Sequence, residues 1–292
     1  MKHSDRPIPL RDRITVSQLY STYTHTFPKN YSFKGERHNF WEIGYVVEGI
    51  AGITSDDKVY KCKEGDLVIH PPNYFHTSWG TKEFKFFTIS FACDYFDLEI
   101  QSYNIRLSEE EKIIVTALMQ EAKICFPQTQ GEFYYTQVDN NRLDYRSRHY
   151  QLLKNYLEIL LLRLIKDNRA EKSPIQSQDA IKYNDIVLFL KANVCRNVTI
   201  EDIAGELFES PSNLKRIFHK YTNMGIMHYY NDLRIYYAEQ LLTQGKTMRQ
   251  IASEMNFSSQ NYFSYFFKKA TGKSTSEYQT AIRKQSEKNI SR

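Results

Sequence analysis

The chain has 292 residues, 39 Lys and Arg against 34 Asp and Glu, and 14% aromatic residues. That length accommodates two domains with a core each, and 41% hydrophobic residues exclude a disordered or fibrous chain. Four scattered cysteines, Cys62, Cys93, Cys125 and Cys195, form no C-x-x-C pair and argue against a disulfide scaffold or a zinc finger. The longest apolar stretch, Tyr156 to Ile165, is interrupted by Glu158 and Arg163 and is too short to cross a bilayer. With a polar, charged N-terminus, a cytoplasmic protein with no membrane partner is expected.

Residues 13 to 92 read as strands. Ile14 to Tyr23 alternates with period two, and FWEIGYVVEG, ITS, KVYKC, DLVIHP and FKFFTISF follow. Asp56-Asp57, Glu64-Gly65-Asp66 and Pro71-Pro72-Asn73 supply the turns between them. Short strands at near-regular spacing predict a small antiparallel barrel or jelly roll with an interior for one small ligand. Candidate lining residues are His38, Phe40, Trp41, Glu42, Tyr45, His70, His76, Trp79 and Phe87. From these, His38, Trp41, Glu42, Tyr45 and His76 form the expected ligand-binding set, with rings to stack on a sugar and His and Glu to bond its hydroxyls. The competing reading is that the rings fill the barrel. His38, Glu42 and His76 are also metal-ligand types, but a paired His-x-His is absent because position 40 is Phe, so no metal is expected. No catalytic triad or Gly-rich phosphate loop is present, and neither a catalytic residue nor a cofactor is expected.

From Ser108 the period changes to helical. SEEEKIIVTALMQEAK opens with Ser108 as N-cap and Glu111 at the capping-box position. A second helix is predicted from about Arg142 to Lys166, with leucines wrapping nearly around it. One face covers the barrel and the other needs a second helix, either from the same subunit or from a partner. A homodimer is expected, with Leu157 and Leu161 facing the partner. Residues 169–179, RAEKSPIQSQD, are polar with a proline and mark a linker. The boundaries are 1–168, 169–179 and 180–292.

Residues 199 to 283 hold the same pattern twice. Thr199, Ile203 and Ala204 recur as Thr247, Ile251 and Ala252; Leu214, Ile217, Phe218, Lys220 and Arg234 recur as Phe263, Phe266, Phe267, Lys269 and Arg283. In the first copy Thr199 is an N-cap with Asp202 in the opening turn, and Ser210-Pro211 starts a second helix striped by Leu214, Ile217, Phe218 and Tyr221. Each copy is a helix-turn-helix, and the pair predicts an all-helical domain that binds double-stranded DNA; the alternative is an all-helical interaction domain in which the repeat only stacks helices. The exposed positions Ser212, Asn213, Lys215 and Arg216 of the first copy, and Gln260, Asn261, Ser264, Tyr265, Lys268 and Lys269 of the second, offer groups that read base edges or hold phosphates. Residues 175–292 contain 16 Lys and Arg against 11 Asp and Glu, so the whole charge excess of +5 lies here.

These features resemble the AraC/XylS family of transcription regulators. Tyr229, Arg234, Ile235, Ala238, Leu241 and Leu242 resemble the helix between its two DNA-reading units, and Arg234 is expected either to contact a phosphate or to form a salt bridge with a neighbouring acid. Ile251-Ala252, Phe257, Tyr262-Phe263-Ser264, Phe267-Lys268-Lys269, Gly272 and Tyr278 resemble its signature. Asn223 and Asn256 stand where the family usually has Gly, Ile226 and Thr275 where it has Pro, and Tyr265 where a basic residue is common. Asn tolerates the left-handed conformation that both turns need. In the first half, His38, Glu42, Gly49, Gly65-Asp66, the proline pair and His76 resemble the family's cupin-like sensor. The resemblance implies an α+β, two-domain chain: an N-terminal cupin-like β-barrel with a helical dimerisation segment, and a C-terminal all-α double helix-turn-helix. It implies a regulator whose partners are DNA, RNA polymerase and a small-molecule effector such as a sugar. Two alternatives stay open, a ligand-independent regulator with a filled barrel and a metal-cupin enzyme fused to a DNA-binding domain.

Overall fold

A computed structural model describes residues 12–94, 103–126, 147–165, 174–278 and 280. It divides into two compact units, one of Met1–Ser32, Glu36–Ser55 and Tyr60–Pro174, the other of Phe33–Gly35, Asp56–Val59 and Ile175–Arg292. Among the described residues no helix is long and apolar enough to cross a membrane.

The strands are β1 (Thr15–Phe27), β2 (Tyr31–Ser32), β3 (Trp41–Glu48), β4 (Ile50–Ser55), β5 (Lys58–Lys63), β6 (Asp66–His70), β7 (His76–Gly80), β8 (Phe84–Asp94) and β9 (Tyr103–Arg106), all in the first unit except the first two residues of β5. They form two sheets, ordered β1-β8-β3-β6-β9 and β2-β7-β4-β5, so the expected barrel is open among the described residues. The larger sheet is antiparallel throughout, with Glu42 opposite Ser90 and Tyr45 opposite Phe87. Large side chains from both sheets, including Phe27, Ile53, Tyr60, Phe84 and Phe86, fill the space between them and hold the sheets together by packing where no ladder closes.

Alternation along β3 and β8 decides what each side of the larger sheet does. Trp41, Ile43 and Tyr45, with Phe87, Ile89 and Phe91 beside them, pack on the helical side. Glu42, Gly44 and Val46 lie on the opposite face, because successive strand residues point to opposite sides. Gly44 is required there. A Cβ on it would stand 2.4 Å from the Phe86 ring, which crosses directly over the strand.

The helical side is covered by α1 (Glu109–Cys125) and α2 (Ser147–Leu164). Ser108 and Glu111 form the expected capping box. The start expected near Arg142 lies outside the described residues. Leu153, Leu157, Leu160 and Leu161 are fully buried against Val115 and Leu118 of α1 and the sheet. Leu157 and Leu161 therefore do not face a partner: about half of each helical turn is spent on the sheet and on α1, and these two residues lie at its centre. The outward residues of this pair are Ile113 (70% exposed), Leu152, Ile159 and Leu162.

The second unit comprises α3 (Gln178–Ala192), α4 (Ile200–Glu206), α5 (Pro211–Thr222), α6 (Ile226–Thr243), α7 (Met248–Glu254) and α8 (Gln260–Thr271). Residues 169–173 of the expected linker lie outside the described residues. Its last residues are helical, because the Ser177 hydroxyl accepts from the Ala180 amide and starts α3 at Gln178. Thr199 and Thr247 close reciprocal capping boxes with Asp202 and Gln250. Ser210 and Ser259 cap α5 and α8. The apolar stripe of α5, Leu214, Ile217, Phe218 and Tyr221, is buried, and so are Phe263 and Phe267 of α8. Asn223 and Asn256 adopt φ of 53° and 55°, so both supply the left-handed turn for which Gly is the commoner residue. The position matching Asn256 in the first repeat is Phe208, which takes φ 52° while 93% exposed. Nothing in the apolar pattern marks that residue, since its backbone is fixed by a turn in which the Glu209 amide donates to the Ala204 carbonyl.

Candidate functional site

The two recognition helices present the expected rows. Ser212, Lys215 and Arg216 on α5, and Gln260, Asn261, Tyr265, Lys268 and Lys269 on α8, are exposed; Asn213 and Ser264 are half-buried. Ser264 is drawn inward because its hydroxyl donates to the Met248 sulfur at 3.6 Å. Tyr265 leaves a ring at the surface with the Lys269 ammonium 5.9 Å from its centre.

On α5 two basic side chains, Arg216 and Lys220, are already engaged. Asp179, in the first turn of α3, accepts from the Arg216 guanidinium at 3.1 and 3.3 Å and from the Lys220 ammonium at 2.7 Å. Asn213 Oδ1 accepts from Arg216 as well, at 2.9 Å. Hydrogen bonds from Arg216, then from Lys220, pull the Asp179 carboxyl down to about 2. An exposed pair of this kind contributes about 0–1 kcal/mol, so the Arg216 guanidinium is held only weakly by this carboxylate. Asp179 is invisible to a motif reading, since it belongs to neither repeat. Its only mark in the sequence is an acid placed two residues after a cap.

Arg234 proves to be internal. It is 5% exposed, donates to Asn197 Oδ1 at 3.0 Å and to the Met255 carbonyl at 2.8 Å, and lies 4.2 Å from the centre of the Phe257 ring. It is therefore neither a phosphate contact nor one half of a surface salt bridge. Tyr230 and Phe266 flank it at 5.8 and 5.7 Å. The cation ties α6 to the segment before α4 and to the C-terminal end of α7, which fixes the second reader against the connecting helix. Its repeat partner, Arg283, lies outside the described residues.

The other candidate site is in the β unit. Of the expected ligand set, the structure brings together His38, Glu42 and His76 and separates Trp41 and Tyr45, which pack on the helical side of the same strand. Strand alternation forbids adjacent residues 41 and 42 from sharing a face. Phe87 is likewise on the helical side, and Phe40 stacks on His38 at 3.8 Å. Glu36 joins the cluster. Its backbone pairs with His76 in an isolated bridge, a contact that the strand pattern did not disclose.

The His76 Nε2 is 3.3 Å from Glu42 Oε1 and 3.8 Å from Glu36 Oε1, and His38 Nε2 is 3.7 Å from Glu42 Oε2. The Ser90 hydroxyl donates to Glu42 Oε2 at 2.8 Å. Burial opposes the charge on Glu42, but His38 and His76 hold its carboxyl well below the usual carboxylate range. Burial also opposes charge on His76, which Glu42 and Glu36 nevertheless raise above the ordinary imidazole value. Burial pushes Glu36 up. His70 stacks on His76 at 4.2 Å, meets Ser55 Oγ at 3.1 Å, and is kept neutral by burial and by the neighbouring His76.

A helix-turn-helix domain model matches residues 203–281, the span of both readers, and an AraC-like ligand binding domain model matches residues 19–153, the β unit with most of its helical cover. The chain belongs to the AraC family of transcriptional regulators. Its relatives include the helix-turn-helix-type transcriptional regulator YfiF of Bacillus subtilis, 20% identical over 88% of this chain and 82% of that protein. The arabinose operon regulatory protein of Salmonella typhimurium is 22% identical, covering 81% of this chain and 82% of its own. The raffinose operon regulatory protein RafR of Pediococcus pentosaceus is 25% identical over 87% and 90%. This AraC-family chain is a DNA-binding transcriptional regulator with a ligand-binding domain.

In this AraC-family regulator Arg234 is a structural cation, and its loss should show in stability. Arg234→Ala leaves the Met255 carbonyl and Asn197 without their donor and removes the aromatic contacts. It should cost about 2–4 kcal/mol in urea unfolding, and Arg234→Lys should recover only part of that, because one ammonium cannot serve both acceptors and the ring face. Unfolding of Arg234→Ala at the wild-type midpoint would contradict the assignment.

Proposed function

We propose that this regulator reads its operator with α5 and α8 together and is controlled by a small polar effector, a carbohydrate, bound in the β unit. It does so as a cytoplasmic homodimer without catalytic activity, and it contacts RNA polymerase. The observation that carries the DNA-reading part is the pair of capped recognition helices whose exposed rows are amides, hydroxyls and cations. For the effector, support comes from the polar inner positions Thr22, Glu42, Ser55, His76, Thr88 and Ser90, all buried, which offer hydroxyl-bonding groups in place of core side chains. The relatives that act on the arabinose and raffinose operons give the chemical class.

Arg216→Ala should weaken specific binding by about 1–3 kcal/mol and relax one base position of the operator, whereas Asp179→Asn should tighten binding up to about fivefold by removing the competing carboxylate. Binding-site selection on both variants checks this. Unchanged base preference in Arg216→Ala would remove Arg216 as a reader.

The dimer surface proposed here is the outward stripe of α2, Leu152, Ile159 and Leu162, with Ile113 of α1. Ile159→Glu combined with Leu162→Glu should give a folded monomer by light scattering, since a charge placed in an apolar contact costs several kcal/mol. Leu157→Asp should instead unfold the unit. A dimer that survives the double substitution would exclude this face.

An effector that tightens operator binding tenfold must itself bind about 1.4 kcal/mol more tightly to the DNA complex. Thermal shift against a panel of pentoses, hexoses and α-galactosides, followed by titration with and without operator, measures both sides of that balance. Absence of any shift across the panel would leave a regulator that needs no sugar.

A further inference from the structure

We propose that Glu36, His38, Glu42 and His76 form a binding site for one divalent transition-metal ion, with zinc as the best-matched species. Each residue offers one ligand atom, and the four atoms lie within 4.8 Å of one another. In a four-coordinate site with bonds of about 2.0–2.2 Å, ligand atoms stand about 3.3–3.6 Å apart. The His76–Glu42, His38–Glu42 and His76–Glu36 separations of 3.3, 3.7 and 3.8 Å are close to those edges before any ion draws them in.

The orientation of the rings is the second observation. His38 Nδ1 donates to the Phe40 carbonyl at 3.0 Å and His76 Nδ1 donates to the Tyr74 carbonyl at 3.1 Å. A carbonyl only accepts, so each Nδ1 carries a proton and each neutral ring turns a lone pair on Nε2 toward the cluster. Both Nε2 atoms are buried and face carboxylate oxygens. Without an ion, a proton on Nε2 pairs each ring with Glu42; a divalent ion at the centre would take the place of those protons, with the two Nε2 lone pairs and the two carboxylates as its ligands. The supporting contacts match those of metal ligands generally: a backbone carbonyl behind each imidazole, and the Ser90 hydroxyl on the Glu42 oxygen that faces away from His76.

Imidazole with carboxylate suits zinc and its first-row neighbours rather than magnesium or calcium, which favour all-oxygen shells. Glu36 side-chain exposure of 39%, against 5% for His76, leaves one side by which an ion can enter. The site shares Glu42 and His76 with the groups that support the effector reading, so a bound ion would take those two side chains and leave Thr22, Ser55, Thr88 and Ser90 to an effector. A metal-stabilised cluster would brace β3 against β7, one strand from each sheet, at the end of the domain opposite the Phe27–Phe84 packing.

The test uses the full-length chain, stripped with chelator and titrated with Zn2+ and with Co2+ by calorimetry and visible absorption. One equivalent per chain is expected, with the intense visible bands of four-coordinate cobalt and no thiolate charge-transfer band, because none of the four cysteines belongs to the cluster. Glu36→Gln, at a partly exposed position where folding is retained, should weaken binding more than about tenfold, and His76→Gln should abolish it. Thermal melting should move upward on adding Zn2+ to the wild type and not to His76→Gln. No bound equivalent in the wild type, or binding that the Glu36 and His76 variants leave unchanged, would overturn the proposal. A thiolate signature would do the same by locating the metal elsewhere. Sugar titration of the zinc-free and zinc-loaded protein reads the effector separately, so failure of one leaves the other standing.

Discussion

A charge removed from water has to be met inside the protein, and each unit of this regulator is organised around one such charge. In the helical unit it is the Arg234 guanidinium, answered by a carbonyl, an amide oxygen and an aromatic face. In the β unit it is the Glu42 carboxylate, answered by two imidazoles and a serine hydroxyl. Leaving either unanswered would cost several kcal/mol, a large fraction of the stability of a domain this size, so the surrounding residues have little freedom to vary their geometry. The partners come from separate stretches of chain: residues 38, 76 and 90 for Glu42, and residues 197, 255 and 257 for Arg234. The cores provide the bulk of the burial, but these two charges fix which segments must meet.

Much of the helical unit was legible because its signals are local. Caps lie one to three residues from what they cap, and an apolar stripe repeats every turn, so Thr199, Ser210, Leu214 and Phe218 could be placed without knowing any long-range contact. The left-handed Asn223 and Asn256 followed from the same local chemistry. Phe208 did not, since a bulky residue at positive φ is held there by its neighbours rather than by its own preference. Arg234 was misjudged for a related reason. Its partners Asn197 and Met255 are both distant in the chain, and neither is an acid that charge patterning would have paired with it.

The β unit was legible as strands but not as a site. Alternation was visible in Ile14 to Tyr23, yet the phase of β3 relative to the core depends on which face the helices cover. With that phase fixed, Trp41 and Tyr45 fall on one side and Glu42 on the other, and the expected ligand set divides. Glu36 was missed because a single bridge to His76 leaves no periodic trace. The leucine-rich helix shows the same limit: an all-round apolar pattern says that both faces are occupied, not which residues belong to which, and Leu157 and Leu161 turn out to serve the interior.

α6 has 18 residues and so measures about 27 Å, while successive major-groove faces on one side of straight duplex are about 34 Å apart. Arg234 ties that helix to Asn197 and to the Met255 carbonyl, so the second helix-turn-helix is held to α6 by contacts inside the unit. Under the proposed reading, a fixed pair of readers meets a duplex whose groove spacing must match it; where the two differ, bending costs about 1–6 kcal/mol and depends on the stiffness of the base steps between the half-sites, so base pairs that no side chain reaches would enter the recognition.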